Sequence, residues 1–173
     1  MAWVSDIHLD RDGRPYVAYS IRKVSAGARP ERLGEDHRYR YARWSGKQRI
    51  DHQVVFAGSK LYAEEEDYTG NIALDPVDPN TVYISSNVNP TTGEPLHSRA
   101  DGRRHYEIFK GTTANGGASW SWMSITADSS QDNLRPIVPQ WPGDSVALLW
   151  LRGTYRAYTE YALGVVGVIA RRR

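Results

Sequence analysis

The chain has no cysteine, and only two methionines and two phenylalanines among its 173 residues. The missing cysteine removes disulfides, cysteine-ligated zinc and thiol nucleophiles together, while leaving the compartment open. A charge excess is missing too: 22 Lys and Arg stand against 20 Asp and Glu, for a net charge of +2. No basic stretch is interleaved with aromatics, so nucleic acid is not an expected partner. The most apolar stretch, residues 162–170, falls well short of the ~20 residues a membrane helix needs. The opening Met1-Ala2-Trp3-Val4-Ser5-Asp6 has no basic region followed by an apolar one, so no export signal is visible in this chain and no membrane partner is expected. Helix signals are nearly absent. The one dense cationic cluster, Arg171, Arg172 and Arg173, is expected to end in solvent without a role.

What the chain has instead is Trp and Tyr, six and eleven of them. Each joins an apolar face to a polar tip, which suits both sheet packing and stacking on sugars. It also has a repeat. Asp6-Ile7-His8-Leu9-Asp10, a turn at 11–14 and Tyr16-Val17-Ala18-Tyr19-Ser20 read as a strand pair joined by a hairpin. The phrase returns as Asn71-Ile72-Ala73-Leu74-Asp75, a turn and Thr81-Val82-Tyr83-Ile84-Ser85, about 65 residues on. A third copy runs from Arg135-Pro136-Ile137-Val138 through a turn at 142–144 to Val146-Ala147-Leu148-Leu149-Trp150.

The first two copies continue into a second strand pair, at 37–44 with 48–56 and at 105–111 with 118–125. Four strands per unit predict an all-β chain of consecutive antiparallel sheets, the blades of a partial β-propeller. Three units are expected, near 1–60, 61–128 and 129–173, the last offering only 158–169 before the chain stops and so lacking its outer strand. Surplus length falls in two Gly-, Pro- and charge-rich loops, 24–36 and 88–103.

The strongest local motif is Thr113-Ala114-Asn115-Gly116-Gly117-Ala118-Ser119-Trp120, which fits Ser/Thr-x-Asp/Asn-x-Gly-x-Ser/Thr-Trp. Its Asn closes an Asx turn, its Gly takes positive φ, and its Trp plugs the hairpin base, so its meaning is structural. The first unit keeps only Trp44-Ser45-Gly46 at the equivalent turn.

With this Asp-box, Asp6-Ile7-His8-Leu9-Asp10, Asn133-Leu134-Arg135-Pro136-Ile137-Val138-Pro139 and Leu149-Trp150-Leu151-Arg152-Gly153-Thr154-Tyr155, the chain resembles the sialidase-like BNR-repeat propellers. Among these it is most similar to the group that includes ulvan lyases and related enzymes acting at rhamnose–glucuronic acid linkages. The resemblance implies an acidic polysaccharide or oligosaccharide as partner and a secreted or periplasmic setting, and no cofactor is expected. It also implies about seven blades in a complete ring, so missing blades or a homo-oligomer would be needed to close this one. Elimination at a uronate is the reaction expected of the complete protein, with sugar binding without turnover as the first alternative and glycoside hydrolysis as the second, and this chain alone is expected to be inactive.

In a propeller the innermost strand of each blade lines the central channel. Asp6, Asn71 and Arg135 are equivalent in the repeat, so three different polar side chains are expected at one height, facing either a ligand or neighbouring backbone. His8 shares the strand face of Asp6 and is the polar member of a series completed by Ala73 and Ile137. It is a candidate acid or base, with a packed, hydrogen-bonded histidine as the alternative.

Arg152 and Tyr155 are expected in a Gly-containing loop after the second strand of the third unit. Arg135 and Arg152 offer the fork that neutralises a uronate carboxylate, with Tyr68 and Tyr155 as candidate proton carriers beside His8. Each also has an ordinary reading as a stacked or surface side chain. The run Glu64-Glu65-Glu66-Asp67 before Tyr68 reads as a solvated loop, and no Glu is placed beside a channel Tyr as a sialidase requires. No pair among His37, His52, His97 and His105 has supported metal-ligand spacing, so no metal is expected.

Overall fold

The computed structural model describes residues 1–23 and 35–172. All but the last two positions of the loop expected at 24–36, and Arg173 of the terminal cluster, lie outside the described residues. Among the described residues the chain is all β, eleven strands in three antiparallel sheets. The first sheet contains β1 (Ala2–Leu9), β2 (Pro15–Arg22), β3 (His37–Trp44) and β4 (Arg49–Gly58), paired in that order. The second contains β5 (Ile72–Leu74), β6 (Thr81–Ser86), β7 (Glu107–Thr112) and β8 (Ser121–Ser124). The third has three strands, β9 (Asp132–Ile137), β10 (Ser145–Ala157) and β11 (Glu160–Arg171), with β10 in the middle.

Side-chain alternation stacks these sheets. On β2 and β3, Tyr16, Ala18, Tyr39 and Tyr41 share one face and pack on Ile72, Leu74, Val82 and Ile84 of the second sheet. The other face of the second sheet, with Ala73, Tyr83 and Ile108, packs on Val138, Val146, Leu148 and Trp150 of the third. Each sheet thus sets the same face, here called its front, against the back of the next.

The excess of Tyr over Phe has a use at the first of these interfaces. Tyr16, Tyr39 and Tyr41 donate their hydroxyls to the carbonyls of Asp75 (2.8 Å), Ser85 (2.7 Å) and Pro79 (2.8 Å) across the gap. Each such bond is worth about 1 kcal/mol net, where Phe would leave a buried carbonyl bare. Burial raises the pKa of all three, Tyr41 to about 12, so they stay protonated donors.

A buried carboxyl ties the second sheet to the third. Glu107 accepts from the Ser129 amide (2.8 Å) and hydroxyl (2.9 Å), from the Thr126 hydroxyl, and from Asn133 Nδ2 (3.1 Å). Asn133 in turn accepts from Trp150 Nε1 at 2.8 Å.

The Asp-box forms the β7–β8 hairpin as its residue types require. Asn115 Oδ1 accepts from the Thr113 hydroxyl and the Ser119 amide, both at 2.9 Å, and Thr113 Oγ1 accepts from the Gly117 amide at 2.9 Å. Trp120, half-buried, donates Nε1 to the Gly117 carbonyl (3.1 Å) and meets the Tyr41 ring edge-on at 5.6 Å. Gly117 has φ 98°, and a Cβ there would lie 2.6 Å from Tyr41 Cδ1. Gly117→Val is expected to destabilise the protein by about 1–3 kcal/mol through both effects. An unchanged thermal midpoint would separate the hairpin from the core.

One expected loop is a strand. Arg152 and Tyr155 lie inside β10, which pairs with β11 through Tyr155↔Tyr161. The Gly153 that suggested a turn is instead a point of close backbone approach, where a Cβ would lie 2.0 Å from the Ala162 carbonyl oxygen.

Candidate functional site

β5 lies against both β1 and β9, so the first strands of the three sheets are neighbours. At the N-terminal ends of β1 and β5 a cavity of about 400 Å³ opens, lined by Trp3 and Ser5, by Tyr62, Tyr68 and Asn71 of the β4–β5 connection, and by Arg135 and Tyr155.

Backbone irregularities aim these side chains. β1 has a bulge between Val4 and Asp6, and β9 has one opposite Leu149–Leu151. Arg135 sits in the β9 bulge with φ 52°, an unusual state for a residue before proline, and its amide donates to the Gly70 carbonyl at 2.8 Å. Asn71 has φ 84°, stabilised by its own Oδ1 accepting the Ile72 amide at 2.9 Å. Two repeat-equivalent, non-glycine residues in the left-handed region, at one cavity, are strain concentrated at a site.

The guanidinium of Arg135 stands 5.4 Å from the Tyr155 ring centroid and has no ion-pair partner among the described residues. Tyr155 is flanked by Tyr62 at 5.6 Å and Tyr161 at 6.0 Å, and Trp3 and Tyr68 lie 5.2 Å apart. Burial, with the Glu65 carboxylate as a second cause, raises the pKa of Tyr62. The cavity therefore offers an unpaired cation within a rim of aromatic rings.

Of the expected site residues, Tyr68, Asn71, Arg135 and Tyr155 come together here. Asp6 and His8 are outside the lining. Asp6 ties the first sheet to the second, accepting the Ile7 amide (2.9 Å) and the Leu74 amide (3.0 Å), and it pairs with His8 at 3.1 Å. His8 lies on the same face, its ring 6.0 Å from that of Tyr16. Arg152 is exposed and three residues from Tyr155 along β10, so the two side chains leave opposite faces of the strand.

Trp3 and Tyr62 escape the reading of the sequence, since neither belongs to the repeated phrases. The acidic run before Tyr68 also does more than face solvent. Arg22 binds Glu66 at 2.8 Å and Asp67 at 3.1 Å, and the Leu61 amide donates to the Tyr68 carbonyl at 2.8 Å, pinning the loop that carries Tyr62 and Tyr68.

A larger cavity of about 610 Å³ opens beyond the other ends of β1 and β5, among Asp10, Asp12, Asp75, Asp78, Lys110 and Arg172. Its carboxylates are engaged: Asp10 accepts from the Asp12 and Arg14 amides, Asp75 from the Val77 amide and Arg172, and Asp78 from the Asn80 amide. Among the described residues no three His, Asp or Glu side chains cluster as a metal site would require. No family model, curated protein or solved structure matches the chain.

Proposed function

We propose that the three sheets are consecutive blades of a sialidase-like Asp-box propeller, the third without its outer strand, and that the cavity between their inner strands binds an acidic, uronate-containing polysaccharide. The observation that carries this reading is the unpaired Arg135 guanidinium inside an aromatic rim. Aromatic faces suit the apolar faces of sugar rings, and a planar fork suits a carboxylate. A neutral sugar would leave the cation unmatched, which favours an acidic one.

The reaction this arrangement supports is β-elimination. Arg135 neutralises the uronate carboxylate and so acidifies the C5 proton, which passes to the ionised phenol oxygen of one of the two tyrosines, Tyr155 or Tyr68. The C4–O bond then breaks, a C4–C5 double bond forms, and the hydroxyl of the other tyrosine gives its proton to the leaving oxygen. Hydrolysis through two carboxyl groups flanking the bond is the weaker reading, because among the described residues no carboxylate lines this cavity and Glu66 and Asp67, which precede Tyr68 in the chain, are held by Arg22.

In a protein that completes the ring around these blades, incubation with a glucuronate-containing polysaccharide is expected to generate the ultraviolet absorbance of an unsaturated uronate, lost in Tyr155→Phe with little change in binding. New reducing ends without that absorbance would favour hydrolysis. Binding without either would make the chain a sugar-binding module.

A further inference from the structure

Among the described residues the front-to-back stacking leaves two sheet faces uncovered, and they are complementary halves of one kind of interface. In the repeat, Ile7 and Leu9 of β1 correspond to Ile72 and Leu74 of β5. Ile72 and Leu74 are 1% and 0% exposed because the front of the first sheet covers them. Ile7 and Leu9, on the back of the first sheet, are 61% and 63% exposed. At the other end, Ile137, Val165 and Ile169 are exposed on the front of the third sheet, opposite the Val146, Leu148 and Trp150 face that packs on the second. Large apolar side chains bared in this way mark an interaction surface.

We infer that two copies of this chain associate head to tail, the front of the third sheet in one covering the back of the first sheet in the other. The occupant follows from the interfaces already in the molecule. A front of this sheet type covers an Ile-x-Leu back within the chain, and the described residues present a further apolar front and a further Ile-x-Leu back, both exposed. Such a contact is heterologous, so it either closes a ring or continues as a fibre. Two copies bring six sheets, within the ~4–8 of known propellers, which favours closure. Closure at six rests on the propeller reading, whereas the contact itself needs neither that reading nor the sugar.

Sedimentation equilibrium without sugar tests this, with Ile7→Lys spoiling only the back and Ile169→Lys spoiling only the front. Circular dichroism checks that each variant keeps its β signal, and Leu9→Lys or Val165→Lys replaces one that does not. The wild type is expected at twice the chain mass and each variant alone at the chain mass. An equimolar mixture of the two variants should form a 1:1 dimer that grows no further, because only one good front and one good back remain. A monomeric wild type would overturn the inference. So would either variant dimerising alone, which requires like faces to pair, or a mixture that stays monomeric.

Discussion

Glu107→Ala is expected to lower stability by about 3–5 kcal/mol, moving the thermal midpoint down by roughly 10 °C for a chain of this size. The carboxyl is 4% exposed and accepts from Ser129 twice, from Thr126 and from Asn133. Truncation strands those donors in the interior and opens a cavity between the second and third sheets. Because Asn133 then loses one partner, the 2.8 Å bond it receives from Trp150 weakens as well. Glu107→Gln keeps the volume but turns one acceptor into a donor facing donors, so a smaller loss is expected. Differential scanning calorimetry of the three proteins checks the order. Equal midpoints for Ala and wild type would mean that the sheets are not tied through this group.

Arg135→Ala is expected to weaken binding of a uronate oligosaccharide at least tenfold, since a charge-assisted hydrogen bond contributes about 1.5–3 kcal/mol. The loss should be specific. Arg135 has no carboxylate to release among the described residues, so removing it exposes no buried counter-charge and should leave the melting temperature nearly unchanged. Arg152→Ala serves as the comparison, because that exposed guanidinium leaves the opposite face of β10 and should leave affinity within about twofold of wild type.

The strands and the Asp-box are readable because their signals are local. A two-residue alternation makes a half-buried strand wherever turn residues bound it, and Thr113, Asn115, Gly117 and Trp120 bond almost wholly to one another. Asn71 and Arg135 are readable through the repeat, whose constant offset sets them at one height in neighbouring sheets.

What escapes depends on contacts distant in sequence. Asp6 has a backbone partner at Leu74, and the loop of Tyr62 and Tyr68 is anchored by Arg22, more than forty residues earlier. Nothing in either local phrase reports such a partner. Gly153 and the polar residues after it resemble turn chemistry, which is why a loop is expected for Arg152 and Tyr155. A long hairpin partner in β11 overrides that preference, and the strand period then separates the two side chains.

The most direct measurement is calorimetric titration of the protein with a glucuronate-containing oligosaccharide and with the same oligosaccharide after its carboxyl groups have been reduced to alcohols. The sugar rings are the same in both, so the aromatic rim treats them alike and only the Arg135 contact differs. The account predicts that the acid form binds at least tenfold more tightly, and that this preference disappears in Arg135→Ala. Equal affinities of the wild type for the two forms would contradict it.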